Sequence, residues 1–341
     1  MAALNAVTIA DVAQHAGVSR AAVSKVIRNA YGVSDAMRTK VQAAIEELGY
    51  RPSVTARAMR GRSYTIGIEV PTTVNAFLDD VIEGATAALA GTPYKIVIAP
   101  AGPDYSFGPE AIQVLADRQV DGILAVSPAV DPEWLEDLGS HIPLVLLGRH
   151  DQSVNYDTIV DDDALGTRLV LEHLHGLGHR DIAHLTIEPA AEKHMRHAPH
   201  AIRATTYREW MAEAGLEQHI RVLHISPTEG AAHERTLQLL DDPKRPTAIY
   251  AGHDELAMGV LSAATERGLT PEDLSVVGYD DTRIAAHPLI SLTSVHQAGE
   301  RIGSLAMGLI LERLDGRTEP THEVIIPELR ARRSTTAAAV V

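Results

Sequence analysis

The sequence predicts an α/β protein: a small three-helix head of helix-turn-helix type, then a long body of parallel sheets covered by helices. Three observations predict it. Residues 1–62 hold nine Lys and Arg against four Asp and Glu, a net +5 in a chain whose formal charge is −15. The first 50 residues contain short amphipathic segments opened by capping residues and closed by Gly. From Tyr64 onward, short apolar runs alternate with helical stretches. A basic module on an acidic body fits a head that meets nucleic acid while the rest of the chain is repelled by phosphates.

Thr8-Ile9-Ala10-Asp11 has the spacing of a capping box, with a Thr cap and an acidic residue three positions on. The helix that it opens is expected to bury Ile9, Val12 and Ala13. Gly17 stands where a tight turn needs positive φ. Ser19 then caps a second helix, from Arg20 to about Asn29, with Val23, Val26 and Ile27 on one side. Ser34 caps a third, whose apolar residues Val41, Ala44, Ile45 and Leu48 follow helical spacing; Gly49 and Pro52 end it. Helix, short turn, helix is the unit that lays its second helix in the major groove. The residues placed at bases and phosphates are then Thr8, Ser19, Arg20, Ala21, Ala22, Ser24, Lys25 and Arg28. Arg20 suits guanine N7 and O6, and Ala21 a thymine methyl. Ser24, Lys25 and Arg28 suit phosphates, which position without specifying. The competing interpretation is a plain helical bundle with a solvated basic face.

In the body, 64–70, 95–99, 122–126, 144–147, 181–185, 248–251 and 275–278 read as strands, with helices such as 79–89 and 109–118 between them. Such alternation indicates parallel sheets covered on both faces, with ligands taken at the carboxyl ends of the strands. The motifs G-x-S-x-G, H-E-x-x-H and the phosphate-binding P-loop are absent from the sequence, so no enzyme chemistry is expected. No cofactor is expected either. The chain has no Cys, which excludes disulfides. Its N-terminus lacks a basic-then-apolar leader, and a cytoplasmic protein, nucleoid-associated when bound to DNA, is the expectation.

The stretches VTIADVAQHAGVSRAAVSKVIRN and AIEELGYRPSVTARAMR closely resemble the head of the LacI/GalR family, and the resemblance runs to about residue 330. It implies a helix-turn-helix domain over 1–50 and a hinge helix over 51–62. The hinge would order on DNA and press Met59, where the family has Leu, into the minor groove, with Arg57 beside it at phosphates. It implies a periplasmic-binding-protein-like body over 63–330. One lobe would take about 63–161 and 294–323, the other about 162–293 and 324–330. Carried over singly, the effector-binding positions are Asn75, Phe77 as a stacking face, Arg203, His253, Asp254 and Asp280. Arg and Asp suit a polyol, whose vicinal hydroxyls they grip by charge-assisted hydrogen bonds. The implied protein is a homodimeric repressor on a near-palindromic double-stranded operator, released by a carbohydrate-type effector.

Four local features complete the expectation. His253 departs from the family's usual Asn or Ser and is a candidate pH sensor. His194, His197 and His200 are spaced by three, but Pro199 and the lack of a completing ligand favour a solvated loop over a metal site. Asp161-Asp162-Asp163 reads as cleft and hinge structure rather than a cation site. Residues 331–341 have no leucine heptad and read as a disordered tail. Competing functions are a sugar-binding solute receptor of a transporter, a glycoside-processing enzyme using Asp254 and Asp280, and a regulator with a purine-type corepressor.

Overall fold

The computed structural model describes residues 7–27, 30–50, 62–71, 75–102, 108–187 and 198–338. The chain divides into two compact units, residues 1–63 and 64–341. Arg28, Arg57 and Met59, with the expected hinge helix apart from Arg62, lie outside the described residues, as do His194 and His197.

The head holds α1 (Ile9–Ala16), α2 (Arg20–Ile27) and α3 (Asp35–Leu48). The Thr8 hydroxyl accepts from the Asp11 amide (3.4 Å) while the Asp11 carboxylate accepts from the Thr8 amide (2.7 Å), so both halves of the capping box form. Gly17 closes α1 at φ +60°, where a side chain is disfavoured. Ser19 and Ser34 accept from the Ala22 and Met37 amides. Val12, Ala13, Ala16, Val23, Val26, Val41 and Ala44 form the core, and Ile9, Ile45 and Leu48 pack half-buried at its edge.

The body is built on two six-stranded sheets. The first contains β1 (Thr65–Val70), β2 (Lys95–Pro100), β3 (Gly122–Val126), β4 (Leu144–Leu147), β5 (Asp157–Asp161) and β11 (His322–Ile325), in the order β11-β5-β4-β3-β1-β2. The second contains β6 (Ile182–Ile187), β7 (Arg221–Ile225), β8 (Ala248–Ala251), β9 (Ser275–Asp280), β10 (Thr293–His296) and β12 (Glu328–Arg330), in the order β12-β10-β9-β8-β6-β7. All pairings are parallel except β10 with β12. Crossover helices supply the cover: α4 (Ala76–Ala88), α5 (Gly108–Asp117), α6 (Pro132–His141), α7 (Asp163–Gly176), α8 (Pro199–Glu213), α9 (Glu229–Leu240), α10 (Asp254–Glu266) and α11 (Gly299–Leu314). The strands β1, β3, β4, β5, β8 and β9 are buried along nearly their whole length, as expected of strands covered on both faces.

The chain passes between the sheets after β5, after β10 and after β11. The second passage therefore follows His296 rather than falling at 293/294, because Thr293–His296 extends the second sheet beside β9. Likewise β11 keeps residues to Ile325 in the first lobe. The tail corrects the sequence-based expectation more strongly. Residues 331–338 are held to the second lobe, not disordered. Ser334 is buried and its hydroxyl donates to the Val276 carbonyl (2.6 Å) while accepting from the Thr293 amide (2.8 Å). Arg332 pairs with Asp281 (2.6 Å), and the Ala338 amide donates to the Leu177 carbonyl (2.8 Å). Polar residues read as a solvated end because their partners lie on three distant segments. Among the described residues no helix is long and apolar enough to cross a membrane.

In the first lobe, α4 and α11 meet backbone to backbone. A Cβ on Gly303 would lie 1.9 Å from the Val81 carbonyl oxygen, and one on Gly84 would lie 1.9 Å from that of Glu300. The pair seals a core of Phe77, Val81, Ile302, Ala306, Met307 and Ile310. Gly303→Ala must push the helices apart and is expected to destabilise the body by about 1–3 kcal/mol. Urea unfolding followed by circular dichroism checks this; an unchanged midpoint would contradict the close approach.

Candidate functional site: a basic helix and a polar cleft

In the head, the Thr8 and Ser19 oxygens are engaged as caps. Arg20, Ala21 and Lys25 are exposed on α2, with Ala22 and Ser24 half-buried between them. The exposed start of α2 thus carries one guanidinium, one ammonium and a methyl-sized residue, the set that reads base edges and phosphates. Tyr31, wholly exposed beyond α2, is an aromatic that sequence reasoning passed over.

In the body, the carboxyl ends of β5, β6, β8 and β9 bring a polar cluster together. At its centre Arg203 of α8 is 4% exposed. Its Nε donates to Asp163 Oδ1 (2.7 Å), Nη1 donates to the Gly252 carbonyl (2.7 Å), and its guanidinium carbon lies 3.5 Å from the Tyr279 ring centroid. Asp163 also faces His150 from the other lobe (3.2 Å). The Tyr279 hydroxyl donates to Asp161 Oδ2 (2.5 Å), a second link between lobes, while Asp161 Oδ1 is buried without a partner. Burial pushes the Asp161 carboxyl up to about 7 against the Tyr279 hydrogen bond. Asp162 caps α7 through the Leu165 amide (2.9 Å). The three consecutive Asp residues are therefore structural and cleft-lining.

Asp280 ends β9 at φ +113°, a backbone conformation that an L-residue holds only when its surroundings compel it. Gln297 Nε2 donates to its Oδ1 (2.5 Å). Burial, followed by the charge of Asp254, raises the Asp280 pKa well above the ordinary carboxylate range. Asp254 has a different role from the one expected. Oδ2 accepts from the amide and hydroxyl of Thr282 (2.8 Å each) and Oδ1 from Ser294 (2.6 Å). Its oxygens tie β10 and the loop after β9 to the start of α10.

The remaining expected positions divide. Asn75 is half-buried and caps α4 by accepting from the Phe77 amide (2.9 Å). Phe77 is not a free stacking face: it is 9% exposed within the first-lobe core, its ring packed on Gly299. His253 is 7% exposed with Nδ1 unpartnered. Burial, and then the charge of Arg203, push its pKa down to about 3, which favours the neutral ring. His200 is no solvated loop residue; it lies in the first turn of α8 with its Nδ1 buried. His184 and Thr186 on β6, also buried, escaped sequence reasoning because their strand read as plain core. The His184 Nδ1 donates to the Tyr250 carbonyl (3.0 Å) and its ring stacks on Tyr250 at 4.4 Å.

These two constructions, a helix-turn-helix presenting a basic second helix and a two-lobed body with a polar cleft, define a DNA-binding regulator that carries its own ligand-binding domain. Residues 8–53 match the profile described as bacterial regulatory proteins, lacI family, and residues 171–335 match the periplasmic binding protein-like domain. The repressor PurR of Vibrio campbellii is 34% identical over 332 residues, covering 95% of this chain and 96% of its own. PurR of Pectobacterium carotovorum is 32% identical over 341 residues, with 96% of each chain covered. Among solved structures, the lac repressor dimer bound to operator and the anti-inducer ONPF superposes with a TM-score of 0.79 at 26% identity, covering 98% of this chain and all of the other. The CelR–cellobiose complex gives 0.68 at 29%, covering 96% and 99%. The chain belongs to the lacI family of bacterial regulatory proteins.

One buried acid of the first lobe yields a pH prediction. Glu69 of β1 is 1% exposed, accepts from the Val126 amide (3.1 Å), and is pushed by burial up to about 8. The folded state thus holds a proton that the unfolded chain releases near its ordinary value of 4.5, and stability is lost as pH rises from there through about 8. Glu69→Gln keeps an acceptor for Val126. It is expected to flatten that decline and to stabilise the body at high pH by an amount on the order of 2–4 kcal/mol. Denaturant unfolding across the pH range checks this; a variant with the parent's slope would refute it.

Proposed function

We propose that the chain is a sequence-specific transcriptional repressor, acting as a homodimer on a near-palindromic operator. A small hydroxylated ligand, a sugar or sugar derivative, sets its affinity for DNA. The observation that carries the ligand half of this reading is the cluster around Arg203. A buried guanidinium, a carboxylate at φ +113° and unpartnered polar atoms of Asp161 and His253 meet at the strand ends. Hydroxyl groups both donate and accept, so a polyol satisfies neutral imidazoles and carboxyls together. The CelR neighbour, a complex with cellobiose, supports a carbohydrate. Calorimetric titration of the full chain with sugars, alongside purine bases for the alternative corepressor, tests the class. A ligand that binds without altering operator affinity would refute its role as effector.

The homodimer is supported by an apolar groove of about 350 Å³ beside edge strand β2, lined by Val97, Ile98, Pro100, Val114 and Leu115. Val97, Ile98 and Val114 are each more than 40% exposed. An apolar sheet edge of this kind is a liability unless covered, and a second copy is the natural cover in a family with the lac repressor dimer. Ile98→Asp is expected to shift the chain toward monomer in analytical ultracentrifugation and to weaken operator binding. An unchanged sedimentation profile would place the interface elsewhere.

For the head, Arg20→Ala is expected to cost about 1–3 kcal/mol of operator affinity and to relax preference at one base pair. Gel shifts on operators selected from randomised duplexes check it. A loss uniform over all sequences would make Arg20 a phosphate contact instead.

A further inference from the structure

We propose that the joint between the two lobes senses protons through the Asp161 carboxyl: acid favours the arrangement in which Tyr279 reaches Asp161, and rising pH loosens it. The inference adds a second input to the proposed regulator and rests on that reading only for its effect on DNA.

An acid stands where the lobes are joined. Asp161 is the last residue of β5, at the first passage between the sheets, and is 4% exposed. Its Oδ2 accepts from the Tyr279 hydroxyl of the second lobe (2.5 Å), and its Oδ1 is buried without a partner. Next to Tyr279, Asp280 is held by Gln297 at the second passage. Asp280 and Asp254 are buried as well, and Asp280 feels the charges of both Asp254 and Asp161.

The groups facing Asp161 do not neutralise it. Asp162 and Asp163 follow it in the chain; Tyr279 and Asp280 come from β9, Tyr250 from β8 and Arg203 from α8. β11 sets the apolar Ile325 beside it. Arg203 is the cation of this set, and its Nε is bonded to Asp163 (2.7 Å). From the loop after β4, His150 also faces Asp163 (3.2 Å), while Arg149 pairs with Asp151 (2.7 Å). Burial favours the neutral rings of His184, His200 and His253. With the guanidinium taken by Asp163, a charge on Asp161 would lie out of water among other carboxyls, and such a group keeps its proton instead.

The sign follows from linkage. Burial pushes the Asp161 carboxyl up to about 7 from an ordinary value of 3.8, to which separation of the lobes and entry of water return it. The joined arrangement therefore binds a proton that the separated one releases. Its advantage is complete below the ordinary value and is lost as pH rises from there through about 7. Glu69 is a different case: its partner Val126 lies in the same sheet, so its proton follows folding rather than the joint.

The test reads the distance between lobes in the full chain. The sequence has no Cys, so Glu133→Cys on α6 and Glu234→Cys on α9, both exposed positions, direct a donor and an acceptor dye to one lobe each. Labelled chains are diluted in excess unlabelled chain, so that energy transfer reports within a protomer. Transfer is expected to change across about pH 5.5–8.5, with its midpoint at about 7. Asp161→Asn keeps an acceptor for Tyr279 but cannot ionise, and is expected to abolish that step. Tyr279→Phe removes the hydrogen bond that lowers the Asp161 pKa. It is expected to move the midpoint to higher pH, which loss of a merely structural hydroxyl would not do. Constant transfer over the range overturns the proposal, as does a step that Asp161→Asn leaves in place or that His150→Gln removes. Operator gel shifts over the same range separate this inference from the regulatory reading. If Asp161→Asn abolishes the step while parent and variant bind operator alike at every pH, the joint stands and the coupling of cleft to DNA falls. If transfer never changes while a cleft ligand still alters operator affinity, this inference falls and the regulatory reading stands.

Discussion

A guanidinium taken out of water has to be neutralised where it lies, and much of the cleft follows from that requirement at Arg203. Removing one partner from such a buried pair typically costs about 3–5 kcal/mol, so Asp163 at 2.7 Å is not free to wander. Because Asp163 opens α7 and Arg203 belongs to α8, the ion pair locks two helices that cover the same face of the second sheet. The flat guanidinium then covers the Tyr279 ring, whose hydroxyl reaches Asp161 at the end of β5. One pairing thereby sets the positions of side chains from both lobes. Burial first, and then the same cation, lower the pKa of His200 and His253.

Two carboxylates that look alike in sequence separate under this arrangement. Asp254 follows Ala251-Gly252-His253, and Asp280 follows Val277-Gly278-Tyr279, each at the end of a buried strand. Asp254 has hydrogen-bond donors on both oxygens, all from the loop after β9 and from β10. Asp280 has Gln297, and sits on strained backbone at φ +113°. Burial, and then the charge of Asp254, raise the Asp280 pKa, and burial raises that of Asp254 as well. The raised pKa of Asp280 favours the protonated form, and a carboxylic acid can donate as well as accept.

How much of this was legible follows from how local each signal is. The head was readable almost residue by residue, because caps, turn glycines and helical spacing act within four or five positions; Thr8, Gly17, Ser19, Ser34 and Gly49 all sit where their chemistry placed them. Most buried strands were readable from their apolar runs, but β5 and β10, which carry Asp157, Asp161, Thr293 and Ser294, were not read as strands. Neither was β7, since Arg221 and His224 interrupt it and it lies at the edge of its sheet. The cleft was readable as positions but not as partners. Arg203 and Asp280 stood out, yet Asp163, Thr186 and His200 acquire their meaning from residues tens of positions away. Phe77 was misjudged because nothing local shows that Gly299 leaves room for its ring, and the tail because its acceptors lie at Leu177, Ser291 and Val276.

The contacts between lobes suit a device that must change state. His150 to Asp163 and Tyr279 to Asp161 are polar, and farther out Arg283 of the second lobe reaches Glu83 and Asp80 on α4 and Glu300 on α11. Arg283, Glu83 and Glu300 are largely exposed, and exposed ion pairs contribute little because water and salt screen them. The apolar cores, by contrast, lie within single lobes, with α4 and α11 sealed by glycine contacts in one and the Tyr207–Tyr250–Tyr279 group in the other. Rigid lobes joined by weak polar contacts can be rebalanced by modest differential binding, since a hundredfold shift in a two-state equilibrium needs only about 2.7 kcal/mol. A ligand that satisfies otherwise unmatched atoms at the strand ends has that much to offer, because a single hydrogen bond to a charged group is worth about 1.5–3 kcal/mol.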